Sequence, residues 1–132
     1  MSTENVGLAR RYVEAFNAGG LDATAPLRHP EIEVIDPPTF PDARRYVGEE
    51  EVREAVQGYL ELGWDGRFRE PEFFDAGEEV LVVFRFMGAS AHGGGFPMDN
   101  DVSHLYRFAD GKLRMLRQYM SREEGLEAAG LT

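Results

Sequence analysis

Apolar residues near the start of the chain fall on one helical stripe, Val6, Ala9, Val13 and Phe16, with Tyr12 beside it. That spacing predicts a helix from Thr3 to Ala18, stopped by Gly19-Gly20. Asp22 is placed to cap a short second helix that ends before Pro30 and is bent or shortened by Pro26. Glu31 to Ile35 alternates polar and apolar and stops at Asp36-Pro37-Pro38, as a strand does. A loop rich in proline and aromatic residues leads to a third helix from Glu49 to Leu62. Its first turn is acidic, Val52, Val56, Tyr59 and Leu60 are apolar, and Gly63 closes it. Four strands follow: Phe68 to Phe74, Glu79 to Gly88, Phe96 to Phe108 and Lys112 to Met120. Asp75-Ala76-Gly77 and Asp110-Gly111 mark turns, the second a strong hairpin signal. Ala89 to Gly95 is a Gly-rich connection. Ser121-Arg122-Glu123-Glu124 reads as a capping box opening a short last helix that ends at Gly130. Helices first and a run of antiparallel strands after them is the α+β pattern.

Composition narrows what such a domain does. A chain of 132 residues, 42% of them hydrophobic, is long enough to bury a real core. No repeat, low-complexity tract or linker divides it, so residues 1–132 are expected to form one domain. There is no cysteine, which excludes disulfides and thiolate chemistry. A net charge of -10, with no basic run beyond Arg10-Arg11 and Arg44-Arg45, repels phosphate backbones and anionic lipid. Nucleic acid and membrane are therefore not expected partners. The longest strongly apolar run, Val80 to Phe84, is too short to span a bilayer. Met1 to Asn5 lacks the parts of a signal peptide, so a cytoplasmic location is expected.

The order of signals resembles the SnoaL-like polyketide cyclases of the nuclear transport factor two-like superfamily. The resemblance rests on Tyr12-Val13-Glu14-Ala15-Phe16-Asn17-Ala18-Gly19 followed by Leu21-Asp22, and on Ile35-Asp36-Pro37. It continues through Tyr46-Val47-Gly48-Glu49-Glu50-Glu51-Val52, Phe73-Phe74-Asp75-Ala76-Gly77 and Tyr106 to Lys112, to the tail Leu126 to Leu131. It implies a cone-shaped curved antiparallel sheet wrapped around three N-terminal helices, with a short C-terminal helix. It does not fix an activity, because this fold hosts isomerases, cyclases, epoxide hydrolases, dehydratases and binding domains.

Ketosteroid isomerase, on the same fold, supplies the sharpest expectation. Its general base is an aspartate before a proline at the end of the first strand, the place of Asp36. Its oxyanion donor is a tyrosine in an arginine-tyrosine-valine context, matched by Arg11-Tyr12-Val13. Its second donor is a protonated aspartic acid four residues before the phenylalanine of an arginine-phenylalanine pair. Counted back from Phe108, that place holds His104 and departs from the pattern. Removing a proton beside a carbonyl needs a carboxylate and donors aimed at the oxygen that becomes negative, and a phenol or an imidazole N–H can donate. Each residue also has a plainer reading: Asp36 as a turn cap, Tyr12 as core, His104 as pocket wall.

Alternation places His104, Tyr106 and Phe108 on one face. Alignment with the same isomerase turns Val80, Val82, Phe84 and Phe86 inward, and Leu116, Gln118 and Met120 line the pocket from the last strand. Phe16, Val34, Val56 and Tyr59 are expected on its wall or floor, with Phe40 and Trp64 near the open end. The pocket should be mainly apolar, roughly 300 to 1,000 Å³. Leu81, Val83, Met87, Leu105, Leu113, Met115 and Tyr119 should form an apolar stripe on the convex face, which predicts a two-fold homodimer.

Other signals weigh less. Asp99 and Asp101 with Arg107 or Arg85 resemble the aspartate-arginine-aspartate arrangement of limonene epoxide hydrolases, but the spacing differs. His29, His92 and His104 are isolated, so no metal site is expected, and the reaction implied needs no cofactor. Gly93-Gly94-Gly95 lacks the helix and lysine of a phosphate loop. The functional reading is a small-molecule pocket protein, a cofactor-independent isomerase or cyclase using proton transfer on an apolar substrate. Its rival is a non-catalytic binding or dimeric scaffold domain. An inert pocket leaves Asp36 exposed or paired with a cation; a reactive one desolvates it beside Tyr12 and His104.

Overall fold

Helix α1, Ser2–Thr24, presses Ala9, Tyr12, Val13 and Phe16 into the core. The computed structural model describes residues 2–89 and 97–132; His92, Phe96 and the triple glycine 93–95 lie outside them. Gly20 breaks α1 at φ 71° and ψ -157°, a conformation that a residue without a Cβ adopts freely. The expected second helix is thus the turn of α1 beyond this kink, followed by a 3-10 turn, Ala25–Leu27.

Strand β1 runs Arg28–Ile35 and β2 Arg45–Val47; helix α2 is Gly48–Glu61. Strands β3 (Arg69–Ala76), β4 (Glu79–Ala89), β5 (Pro97–Ala109) and β6 (Lys112–Tyr119) follow, then helix α3, Arg122–Ala128. The six strands form one curved, unclosed sheet in the order β2-β1-β6-β5-β4-β3. It is mixed. Every neighbouring pair is antiparallel except β1 and β6, which run parallel. The last strand returns to the first across the whole intervening chain, a pairing that alternation cannot announce.

The two faces of the sheet are covered differently. On the concave side Val80, Val82, Phe84, Tyr106 and Leu116 join residues of α1 and α2 in the main core. On the convex side Leu81, Val83 and Leu105 form a second cluster beneath Leu126 and Ala129, at and just past the end of α3. This corrects the expected exposed stripe, since three of its residues are 0–1% accessible beneath the chain's own last helix. Leu113 leaves the stripe for another reason. A register shift between Arg107 and Phe108 puts it in the main core, as one extra residue reverses the facing of a strand.

Candidate active site

Between α1, α2 and the concave face lies a cavity of about 230 Å³, below the range expected from the sequence. Its wall is built largely of rings. Trp64 stacks on Phe86 at 5.9 Å and on Phe16 at 5.7 Å, while Phe68 meets Phe84 edge-on at 4.6 Å. Trp64 reaches this position because its segment is pinned to the end of β4 by an isolated antiparallel bridge to Gly88. The Asp65 N–H also donates to the Met87 carbonyl at 3.0 Å. Leu62 and Met120, both exposed, stand among the wall residues.

His104 lines the cavity from β5 and stands edge-on to Phe84 at 4.8 Å and Phe68 at 5.7 Å. Its Nδ1 is buried without a hydrogen-bond partner. Burial pulls its pKa down to about 3, because the charged imidazolium loses its hydration among these rings. The ring is therefore neutral near pH 7, with one nitrogen a donor and the other an acceptor. Directly across the β5–β6 ladder sits Gln118, buried, its Nε2 donating to the Ile35 carbonyl at 3.3 Å.

Tyr12 lines the cavity from α1. Its hydroxyl oxygen accepts from Arg28 Nη1 at 3.2 Å, which leaves the hydroxyl hydrogen uncommitted to that contact. Sequence reasoning missed Arg28 altogether. The guanidinium is fully buried and bidentate to Glu49, at 2.7 and 2.9 Å, and also donates to Thr24 Oγ1 and the Leu21 carbonyl. Nothing local in Arg28-His29-Pro30 marks it, since its partners come from the kinked end of α1 and the start of α2.

Asp36 is buried, 7% accessible, at the end of β1. Its Oδ1 accepts from the Tyr59 hydroxyl at 3.1 Å and its Oδ2 from the Arg44 N–H at 3.1 Å. Two donors are aimed at it, and among the described residues no cation pairs with it. It is absent from the cavity wall; its neighbours Pro37 and Tyr59 are the residues that line it. Burial, and next the Asp36 carboxylate, raise the Tyr59 pKa far above the usual phenol range, so Tyr59 keeps its proton.

Tyr12 and His104 thus share one cavity, and Asp36 stands one hydrogen bond behind it. Phe16, Val34, Phe40, Val56, Tyr59, Trp64, Phe84, Phe86, Leu116, Gln118 and Met120 also line it. Val82 and Tyr106, expected on the wall, instead lie fully buried in the core, where α1 packs against the sheet. Wall residues that alternation did not single out include Val52, Ala55, Phe68, Asn100 and Val102. Asp99 pairs with Arg85 in an exposed ion pair, and neither lines the cavity. Among the described residues no group of three or more His, Cys, Asp or Glu is placed to hold a metal ion. No helix among them is long and apolar enough to cross a membrane.

A family model described as the SnoaL-like domain matches residues 9–115. No curated protein matches the chain. Among solved structures, it is similar to an NTF2-like protein from Burkholderia xenovorans LB400, at 24% identity and TM-score 0.73, over 98% of this chain and 97% of that one. A candidate polyketide cyclase from Xanthomonas campestris pv. campestris is similar at 18% identity and TM-score 0.73, over 97% and 98%. TerC, co-crystallized with polyporic acid, is similar at 18% identity and TM-score 0.72, over 96% and 98%. At these identities the likeness is one of fold.

Proposed function

Because the chain belongs to the SnoaL-like domain family, we propose that it is a small-molecule enzyme of the cyclase or isomerase type. It would work by cofactor-independent proton transfer on a mainly apolar substrate. One observation carries the reading: a buried carboxylate with no cation paired to it among the described residues stands one hydrogen bond from an apolar cavity that Tyr12 and His104 line. A structural neighbour of the same fold, TerC, was co-crystallized with polyporic acid, which supports a small-molecule reading.

In this reading Asp36 is the base and works across Tyr59. The substrate gives a proton to the Tyr59 oxygen while the phenolic proton passes to Asp36 Oδ1. One proton leaves the substrate, one arrives on Asp36, and the phenol is unchanged. The negative charge left on the substrate oxygen is met by the neutral His104 and by the Tyr12 hydroxyl, donors already fixed in a water-poor site. The proposed reaction uses no residue of a second copy, and α3 with the residue after it packs on three members of the stripe that predicted a dimer, Leu81, Val83 and Leu105.

The test uses 2-tetralone, a bicyclic ketone with exchangeable hydrogens beside its carbonyl. In deuterated buffer near pH 7, the protein should accelerate loss of those proton signals by NMR. Asp36→Asn should abolish the acceleration, and His104→Ala should slow it by ~10². Bound ketone with no exchange above buffer would leave the non-catalytic binding domain as the better reading.

A further inference from the structure

The wall of the cavity holds an asymmetry of charge. None of its described residues is Asp, Glu, Lys or Arg. A buried cation, Arg28, donates to the Tyr12 hydroxyl and is already matched by the two oxygens of Glu49. The buried anion, Asp36 behind Tyr59, has no such match among the described residues. From this arrangement we infer that Asp36 is a specificity-determining residue: it makes the cavity take the uncharged form of an aromatic hydroxyl or carbonyl compound and exclude the corresponding carboxylate. The inference rests on the cavity being the ligand site and deepens that reading by naming the ligand's charge.

Three features act together. An anion entering an apolar cavity loses its hydration and finds no cation. It also meets the field of a carboxylate that is poorly screened because it is buried. Finally, the Tyr59 proton is committed to Asp36, so the phenol next to the cavity has none left to donate to an anionic oxygen. His104, neutral because burial holds its pKa near 3, adds no positive charge. The proposed proton transfer fits the same rule. It moves the single negative charge from Asp36 to the substrate, whereas an anionic ligand adds a second.

Asp36→Asn separates charge from shape. The Asn oxygen can accept from the Arg44 N–H while its amide donates to the Tyr59 oxygen, which frees the phenolic proton for the ligand. The charge disappears and a donor appears, and both changes favour an anion.

Calorimetric titration with 2-naphthol, uncharged at neutral pH, and 2-naphthoate, charged there, tests this on one ring system. The wild-type protein should bind 2-naphthoate ~10-fold or more weaker than 2-naphthol. Asp36→Asn should narrow the ratio to within about threefold, mainly by tightening 2-naphthoate. Tyr59→Phe keeps both the carboxylate and the wall, so it should retain the discrimination; it also stands in as the second variant if Asp36→Asn does not fold. Equal or tighter binding of 2-naphthoate by the wild type, a ratio unmoved in Asp36→Asn, or discrimination lost in Tyr59→Phe overturns the charge filter and leaves the cavity as a ligand site. Binding of neither compound overturns both.

Discussion

Strands β4 and β5 build two different interiors from one alternating pattern. Facing inward, Phe84 and His104 border space; facing outward, Leu81, Val83 and Leu105 are packed solid beneath α3. The outer cluster is aliphatic at its buried centre and close, so tight that a Cβ added at Gly125 would lie 2.0 Å from Ser103 Oγ. The inner face is aromatic, keeps a cavity, and among the described residues leaves His104 Nδ1, Trp64 Nε1 and Tyr106 Oη buried without partners, against Arg117 Nε alone on the outer side. Unmet polar atoms and empty space both cost stability. Most of these costs fall on the inner face, the one that borders the cavity.

The largest expected effect compares two leucines on neighbouring strands. Leu105→Ala opens a void in the solid outer cluster and should cost ~2–5 kcal/mol in urea unfolding. Leu116→Ala, on the cavity wall, should cost about 1 kcal/mol less. Its neighbours already lack contacts on that side, so less packing is lost. Equal losses would mean that the cavity is filled in solution and that the contrast between the faces is not real.

This contrast also sorts what was legible in the sequence. Local signals carried through. The stripe of α1, the Asp110-Gly111 turn, with φ of 56° and 74°, and the Ser121 cap, whose Oγ accepts from the Glu124 N–H at 3.1 Å, all depend on near neighbours. The inward set taken for β4 from the alignment with ketosteroid isomerase, Val80, Val82, Phe84 and Phe86, also packs in or against the main core. Long-range pairings were not legible. The parallel β1–β6 ladder, the register shift that turns Leu113 inward, and the docking of α3 join residues far apart in the chain. The site is divided too. His104 and Tyr12 were singled out by the resemblance to ketosteroid isomerase, and both line the cavity, whereas Asp36, singled out in the same way, stands behind Tyr59. Arg28 and the Tyr59 hydroxyl on Asp36 were not singled out, because their meaning lies in partners 16 to 23 residues away.

A smaller effect tests the outer face alone. Gly125→Ala forces α3 off Ser103 and Leu81 and should cost ~1–3 kcal/mol by overpacking. Affinity for 2-naphthol should stay within about twofold, since the cavity lies across the sheet. A binding loss matching the stability loss would show that the two faces are coupled.

The smallest effect per step concerns the polar group enclosed by the inner face, and it appears only with pH. In the folded chain burial holds the His104 pKa near 3; in the unfolded chain it returns to about 6.5. Between those values the unfolded state binds a proton that the native state refuses, so stability rises with pH. The contribution is complete above about pH 6.5 and is lost as pH falls toward the folded value, at about 1.4 kcal/mol per pH unit. His104→Phe removes the titrating group and keeps a ring among Phe68, Phe84 and Tyr106. Urea unfolding of both proteins at pH 7, 6 and 5 should show the wild type losing stability faster, so that the variant gains on it by roughly 1–2 kcal/mol at pH 5. Parallel profiles would mean that water reaches His104 in the folded state, and the inner face would then lose the dryness that both the proton-transfer reading and the charge filter need.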